Sequence, residues 1–261
     1  MALCAYGDNP FLEESLKSLL AQRISPKVLI ATSTPSDYID KIAAKYGVAY
    51  HVNPTRGEGI GADWEFAASC AATPYVTIAH QDDVYFPEYA ERILDAFEKA
   101  PDSLMVFTDY GDLVNGEFRS GRGYLRIKRF LLWPYFLKHS LRLKIFKYMA
   151  CCFGNAICCP SVAYNLPRIG RLRFDRGFSS NLDWKMWLDL ANMRGAFTYV
   201  PRPSMAHRID DTTTTRKLIA DNRRYDEDMR IFTEIWGRTI ARFLMLFYSR
   251  AYKMAENGRA E

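Results

Sequence analysis

Pro74-Tyr-Val-Thr-Ile-Ala-His80-Gln-Asp82-Asp83-Val-Tyr-Phe-Pro87 is the stretch that decides how this chain folds. Tyr75 to Ala79, apolar or β-branched, reads as a buried strand, and it runs straight into a histidine and two adjacent carboxylates before Pro87 starts a helix. Polar side chains at the carboxyl end of a sheet strand are where α/β proteins bind ligands. Two neighbouring carboxylates in a partly dry crevice repel each other, so the pair calls for a cation. Oxygen ligands of this kind suit Mg2+ or Mn2+ shared with the phosphates of a substrate. The alternative is that Asp82 and Asp83 only cap the helix beginning near Pro87.

Upstream, strands and helices alternate. Leu3 to Tyr6 is strand-like, and Gly7-Asp8-Asn9-Pro10 leads into a helix with Asn9 as its cap and Leu12, Leu16, Leu19 and Leu20 as its stripe. Val28 to Ala31 is a second strand, followed by the loop Thr32-Ser33-Thr34-Pro35 and a helix striped by Ile39, Ile42, Ala43 and Tyr46 and closed by Gly47. Val48 to Val52 is a third strand. Glycines at 57, 59 and 61 then precede a helix beginning near Trp64, in a pattern that matches neither the phosphate-loop nor the dinucleotide fingerprint. This order predicts a parallel sheet wrapped by helices with right-handed crossovers.

Downstream, Tyr89, Ile93 and Phe97 stripe a helix, Leu104 to Thr108 reads as a strand, and Asn115-Gly116 marks a hairpin. Phe153 to Tyr164 is strand-like, and Asp183 falls in the first turn of a helix that carries Trp184, Trp187, Leu188 and Ala191. Read alone, Asp183 is also an ordinary favourable charge at a helix N-terminus. Phe197 to Pro201 is the last strand expected. Beyond it, His207, Arg208, Thr212 to Thr215 and Lys217 could close over a diphosphate, and Ile219 to Met254 reads as helical. Arg56, Arg208 and Lys217 are secondary candidates for phosphate contact.

The 261 residues suit one large α/β domain or two small ones, and an ordinary composition (49% hydrophobic, 25% charged) argues against disorder. The net charge of +5 is unevenly spread. Between Glu117 and Asp175 there is no acid, while Arg119, Arg122, Arg126, Lys128, Arg129, Lys138, Arg142, Lys144, Lys147, Arg168, Arg171 and Arg173 supply +12, so the rest carries −7. From Tyr124 to Met149 these cations interleave with bulky apolar residues, and Trp236 to Ala255 repeats the pattern with Arg238, Arg242, Arg250 and Lys253. Basic, aromatic and acid-free segments suit a helix lying on an anionic membrane surface. They equally suit amphipathic helices packed on their own domain with solvated basic faces. No nucleic-acid module is legible, so nucleic acid is not an expected partner. Six cysteines without zinc spacing, and no legible secretory signal, point to reduced, buried thiols in a cytoplasmic protein. No apolar run approaches the ~20 residues that span a bilayer.

The order of elements and motifs resembles the family 2 inverting glycosyltransferases of GT-A fold, over roughly residues 3 to 215. The residues that carry the resemblance are Ala5-Tyr6-Gly7-Asp8-Asn9-Pro10, the loop after the second strand, the Gly-rich turn before Trp64, the stretch His80-Gln81-Asp82-Asp83, and Asp183-Trp184. It implies an α/β fold with a Rossmann-like, mostly parallel sheet. Residues 1–215 would form the transferase domain, with 1–110 binding the nucleotide-sugar and 111–215, including the basic aromatic insertion 124–149, binding the acceptor. Residues 216–261 would be a helical extension. The resemblance places Ala5, Tyr6, Ser33, Thr34, Gly61, Asp63, His80, Gln81 and Asp82 around a nucleotide-sugar, Asp82, Asp83 and His207 on Mg2+ or Mn2+, and Asp183 as catalytic base. Four departures stand out: His80 replaces the usual first aspartate, Thr32-Ser33-Thr34 replaces acidic residues that read uracil, Leu182 replaces a common glutamate, and the basic-aromatic signature after the base helix is absent, with His207 and the threonines beyond it as substitutes. The expected activity is transfer from a UDP-sugar to a hydroxyl of a glycan or lipid-linked acceptor, by an enzyme peripheral to the cytoplasmic face of the membrane. A sugar nucleotidyltransferase and a non-catalytic membrane scaffold are the alternatives.

Overall fold

The computed structural model describes residues 1–121, 123–209 and 223–257, with side chains to residue 248. Its first half is the expected alternation. Strands β1 (Ala2–Ala5), β2 (Leu29–Thr32), β3 (Ala49–Val52) and β4 (Tyr75–His80) pair in parallel in the order β3-β2-β1-β4. Helices α1 (Leu12–Leu20), α2 (Asp37–Tyr46) and α3 (Ile60–Ser69) make the crossovers. Leu12, Leu16 and Leu19 of α1 are fully buried, as the stripe requires. Ser36 caps α2 by accepting from the Ile39 N–H, and Gly47 closes it in the left-handed conformation (φ 62°). Asn9 does not cap α1, which begins two residues later than expected. The Asn9 carboxamide instead accepts from the Phe11 N–H at 2.8 Å and turns the chain ahead of the helix.

After β4 come β5 (Val84–Tyr85), α4 (Tyr89–Lys99), β6 (Ser103–Val114) and β7 (Glu117–Arg119), with Asn115 (φ 52°) and Gly116 (φ 83°) forming the hairpin turn. Segment 124–149 holds three short helices, α5 (Tyr124–Leu131), α6 (Pro134–Leu137) and α7 (Lys144–Met149), with strand β8 (Ser140–Leu141) among them. Next are β9 (Val162–Asn165), α8 (Leu166–Ile169), α9 (Leu182–Ala191), β10 (Ala196–Ile209) and α10 (Arg223–Asn257), the last broken at Gly237 (φ 74°, ψ 160°). The sheet runs β3-β2-β1-β4-β9-β6-β10-β5, with β9 antiparallel to both neighbours.

Two expectations need correcting. Of Phe153 to Tyr164 only the end is strand, because Gly154 and Pro160 interrupt it and Cys159–Ser161 forms a 3-10 turn. The last strand is far longer than Phe197 to Pro201. Pro201 and Pro203 cannot donate to a ladder, so β10 slips register between Val200 and Ala206 and then resumes beside β6 and β5. That continuation carries His207 and Arg208 to the end of β4.

The core explains how α10 joins the domain. Ile231, Phe232, Ala241 and Met245 of α10 are buried in the same cluster as Trp184 and Trp187 of α9 and Val76 and Ile78 of β4. Trp184 meets Phe232 edge-on at 5.3 Å and donates its indole N–H to the Cys151 carbonyl. All six cysteines are free, with Cys151, Cys152, Cys158 and Cys159 buried. Among the described residues no helix is long and apolar enough to cross a membrane.

Candidate active site

β4 ends at His80, the chain turns, and β5 starts at Val84. Ligand atoms of His80, Asp82 and Asp83 therefore lie within 4.8 Å of one another. The two aspartates do not cap α4, whose first residues make no side-chain cap bond. Asp83 is 1% exposed. Its Oδ1 accepts the Arg208 backbone N–H at 2.9 Å, while its Oδ2 and the Nε2 of His80 are buried with no hydrogen-bond partner. Burial pushes the Asp83 carboxyl up to about 7 and the His80 imidazole down to about 4. A divalent cation fits this donor set, since it would satisfy both orphaned atoms and hold Asp83 ionised. Trp64, delivered by α3, stacks on the His80 ring at 5.2 Å and 17°. Packing thus fixes the His80 ring from one side.

Arg208 braces this turn. Its Nε donates to the Asp82 carbonyl at 2.8 Å, its Nη2 reaches Glu14 at 2.6 Å, and its guanidinium lies 4.1 Å over the Phe11 ring. These contacts occupy the cation internally. His207 lies close by but outside the tight group. It faces Asp112 across the β10–β6 register, with Nδ1 3.8 Å from Oδ1. Burial lowers its pKa, but Asp83 and Asp112 outweigh burial and leave it raised. Arg56 is exposed, and Thr212 to Thr215 and Lys217 lie outside the described residues.

The mouths of β1 and β2 form the adjoining wall. Gln81 clasps Tyr6, accepting from its N–H at 2.8 Å and donating to its carbonyl at 3.0 Å. Ala5 beside it is buried and Tyr6 is 67% exposed, as an open rim residue would be. Thr34 Oγ1 accepts the Gly7 N–H at 2.7 Å. Ser33 does not face outward. Its hydroxyl donates to Asp63 at 2.8 Å, while Asn53 holds the other oxygen of Asp63 at 2.9 Å. A carboxylate from α3 therefore stands beside the loop where β2 lacks one. Gly61 is buried against Phe174 and Leu182, which a Cβ there would meet at 3.1 and 3.2 Å, so close helix packing accounts for this glycine.

Asp183 lies in the first turn of α9, 7% exposed. Burial raises its pKa, against hydrogen bonds from the Trp184 N–H (2.7 Å) and Asn155 Nδ2 (3.3 Å) and the charges of Arg224 and Lys128. The Cys158–Cys159 turn feels both Asp83 and Asp183, and the two carboxylates raise both thiols in addition to burial.

Sequence reasoning missed several contributors. Lys128 and Arg129 belong to the basic segment expected to face a membrane or solvent, yet Lys128 donates to Tyr110 OH at 3.0 Å and Arg129 pairs with Asp109 at 2.9 Å. Asn155 carried no signal. Neither did Glu227 of α10, whose carboxylate accepts from the backbone N–H groups of Ser179, Ser180 and Asn181 and from both serine hydroxyls, at 2.6 to 2.9 Å. Burial raises the Glu227 pKa, but the bonds from Ser179 and Ser180 outweigh it and leave it lowered. Its stabilisation is therefore present above the ordinary glutamate value of 4.5 and fades as pH falls through the depressed folded value. Glu227→Ala is expected to cost about 2–3 kcal/mol, since charge-assisted bonds are lost and backbone donors are left unmet. Urea unfolding at neutral pH checks this, and an unchanged midpoint would count against the clamp.

The comparisons agree with this geometry. The chain belongs to glycosyl transferase family 2, whose model matches residues 2–163. Among solved structures, S. aureus TarS 1-349 superposes with a TM-score of 0.60 at 16% identity, covering 90% of this chain and 69% of that one. Other TarS structures hold UDP or UDP-GlcNAc. Glucosyl-3-phosphoglycerate synthase from Mycobacterium tuberculosis, with Mg2+ and UDP, gives a TM-score of 0.53 at 15% identity over 80% of this chain and 70% of that one. The mannosyltransferase PcManGT from Pyrobaculum calidifontis, with GDP-Man and Mn2+, gives 0.53 at 13% identity over 99% and 78%. At these identities the superpositions establish the fold, which is that of the GT-A glycosyltransferases. No curated protein matches the sequence.

Proposed function

We propose that this chain is an inverting, metal-dependent hexosyltransferase that moves a sugar from a nucleotide-sugar, in this reading a UDP-sugar, to a hydroxyl acceptor. The observation that carries the reading is a pair of buried atoms that make no hydrogen bond, Asp83 Oδ2 and His80 Nε2, beside Asp82 at the end of β4, with Asp83 Oδ2 facing His80 Nδ1 at 3.8 Å. A divalent cation, Mg2+ or Mn2+, bound by these three residues would neutralise the diphosphate as it leaves. Tyr6, Gln81 and Thr34 shape the rim over the donor, and the Asp63 carboxylate held by Ser33 and Asn53 reads the base in place of the missing acid on β2. UDP complexes of TarS and of the M. tuberculosis synthase favour uridine over other bases.

Asp183 serves as base. The acceptor oxygen attacks the anomeric carbon opposite the diphosphate, the bond from that carbon to the phosphate oxygen breaks with its electrons leaving on the diphosphate, and the hydroxyl proton passes to Asp183. One displacement inverts the anomeric centre. A raised pKa makes this carboxylate a stronger base than an exposed aspartate. Residues 1–110 supply the donor half and 111–215 the acceptor half, in the assembly of a cell-surface polysaccharide or a lipid-linked glycan on the cytoplasmic side. Family membership favours sugar transfer over nucleotidyl transfer. The test is incubation with a panel of nucleotide-sugars and simple glycosides, with and without Mn2+. Release of nucleoside diphosphate with an inverted product anomer supports the reading. A retained anomer, or pyrophosphate formed from a nucleoside triphosphate and sugar phosphate, contradicts it.

A further inference from the structure

Segments far apart in sequence leave large apolar side chains uncovered, and two of them, α5 and the second half of α10, adjoin. On α5, Phe130 is 69% exposed and Ile127 44%. The chain leaving α5 adds Phe136, Leu137, Leu143 and Ile145, each more than half exposed. On α10 beyond Gly237, one face packs inward through Ala241 and Met245, while the other presents Ile240, Phe243, Leu246 and Phe247. A surface helix ordinarily turns polar residues outward, so a helix apolar on both faces has a second nonpolar phase to meet. Gly154 shows that the two segments adjoin, because a Cβ there would strike both Leu131 of α5 and Tyr248 of α10, the neighbours in sequence of Phe130 and Phe247.

Charge selects the occupant. Lys147, Arg129 and Arg142 are used internally, on the Met193 and Gly195 carbonyls, on Asp109 and on Asp102. Arg126, Lys138, Lys144, Arg238 and Arg242 remain exposed around the apolar residues, and residues 118–174 and 235–248 contain no acid. We infer that α5 and the second half of α10 form one platform that docks on an anionic lipid bilayer, aromatic side chains entering the acyl boundary and the cations meeting lipid phosphates. The platform stands on surface exposure and charge alone and does not depend on the donor site.

Co-sedimentation of the full chain with phosphatidylcholine vesicles, with and without phosphatidylglycerol, tests it. Binding is expected only with phosphatidylglycerol and should fall as salt screens the charges. Arg238→Glu with Arg242→Glu should weaken it at least roughly tenfold. The triple variant Phe130→Ser, Phe243→Ser, Phe247→Ser should abolish it, with an unchanged melting temperature showing that the fold is intact. UDP titration of the same variants reads the donor site separately. No binding by the wild-type chain at low salt would overturn the inference. So would binding that ignores both variant sets, or a dimer in solution that the phenylalanine variant dissolves while vesicles go unbound.

Discussion

Asp183→Asn is expected to lower turnover about 10²- to 10⁴-fold, the usual contribution of a positioned general base, while leaving UDP affinity unchanged. The change keeps the shape and the acceptor oxygen for the Trp184 N–H, removes the charge and the basicity, and puts an amide nitrogen where the second oxygen accepts from Asn155. The rate should rise with pH as the carboxylate ionises, along a limb displaced above the ordinary aspartate value of 3.8 because burial raises the folded pKa. The asparagine variant should lack that limb. Stability separates catalysis from a purely structural role. A carboxyl whose pKa is higher folded than unfolded destabilises the fold as pH rises through that interval, and the cost persists at neutral pH. Removing it should leave the melting temperature at pH 7 equal or higher, with the gain vanishing below 3.8. If Asp183 were only a favourable charge at the α9 N-terminus, the variant would melt lower and its residual turnover would stay near wild type.

Asp83→Asn is expected to act on metal binding in the same double sense. Burial holds the Asp83 carboxyl near 7 without a cation, so the amide should stabilise the metal-free protein at pH 7 and above. The wild-type protein should gain stability from Mn2+. At a hundredfold excess over Kd the linkage amounts to about 2.7 kcal/mol, a melting shift of roughly 5–10 °C for a chain of this size. The variant should lose most of that shift. Thermal melts with Mn2+ or with chelator decide the matter, and an equal Mn2+ shift in both proteins would place the cation elsewhere.

The parts of the site that sequence made legible were those built locally. A β-branched run ending in His80-Gln81-Asp82-Asp83 states both the strand and its polar mouth within ten residues, and Asp183 sits at a helix start that Trp184 and Trp187 make periodic. What stayed hidden depends on long-range contacts. Asp63 is 30 positions from the Ser33 hydroxyl it accepts, and Glu227 is 46 to 48 positions from the loop it clamps. Neither pairing leaves a periodic trace. Lys128 and Arg129 read as surface charges because composition cannot show that Tyr110 and Asp109 wait on the neighbouring strand. The length of β10 was masked by Pro201 and Pro203, which read as a strand end and prove to be a bulge. Segment 124–149 looked like one amphipathic helix, whereas Pro134 and the strand at Ser140–Leu141 divide it into short pieces.

The central claim is that a divalent cation at the end of β4 carries donor binding. Calorimetric titration of UDP into the protein with Mn2+ and with chelator, repeated on Asp82→Ala, tests it most directly. Binding that requires Mn2+ in the wild-type protein and disappears in the variant is the expected result. UDP binding of equal strength with and without Mn2+, unaffected by Asp82→Ala, would contradict it.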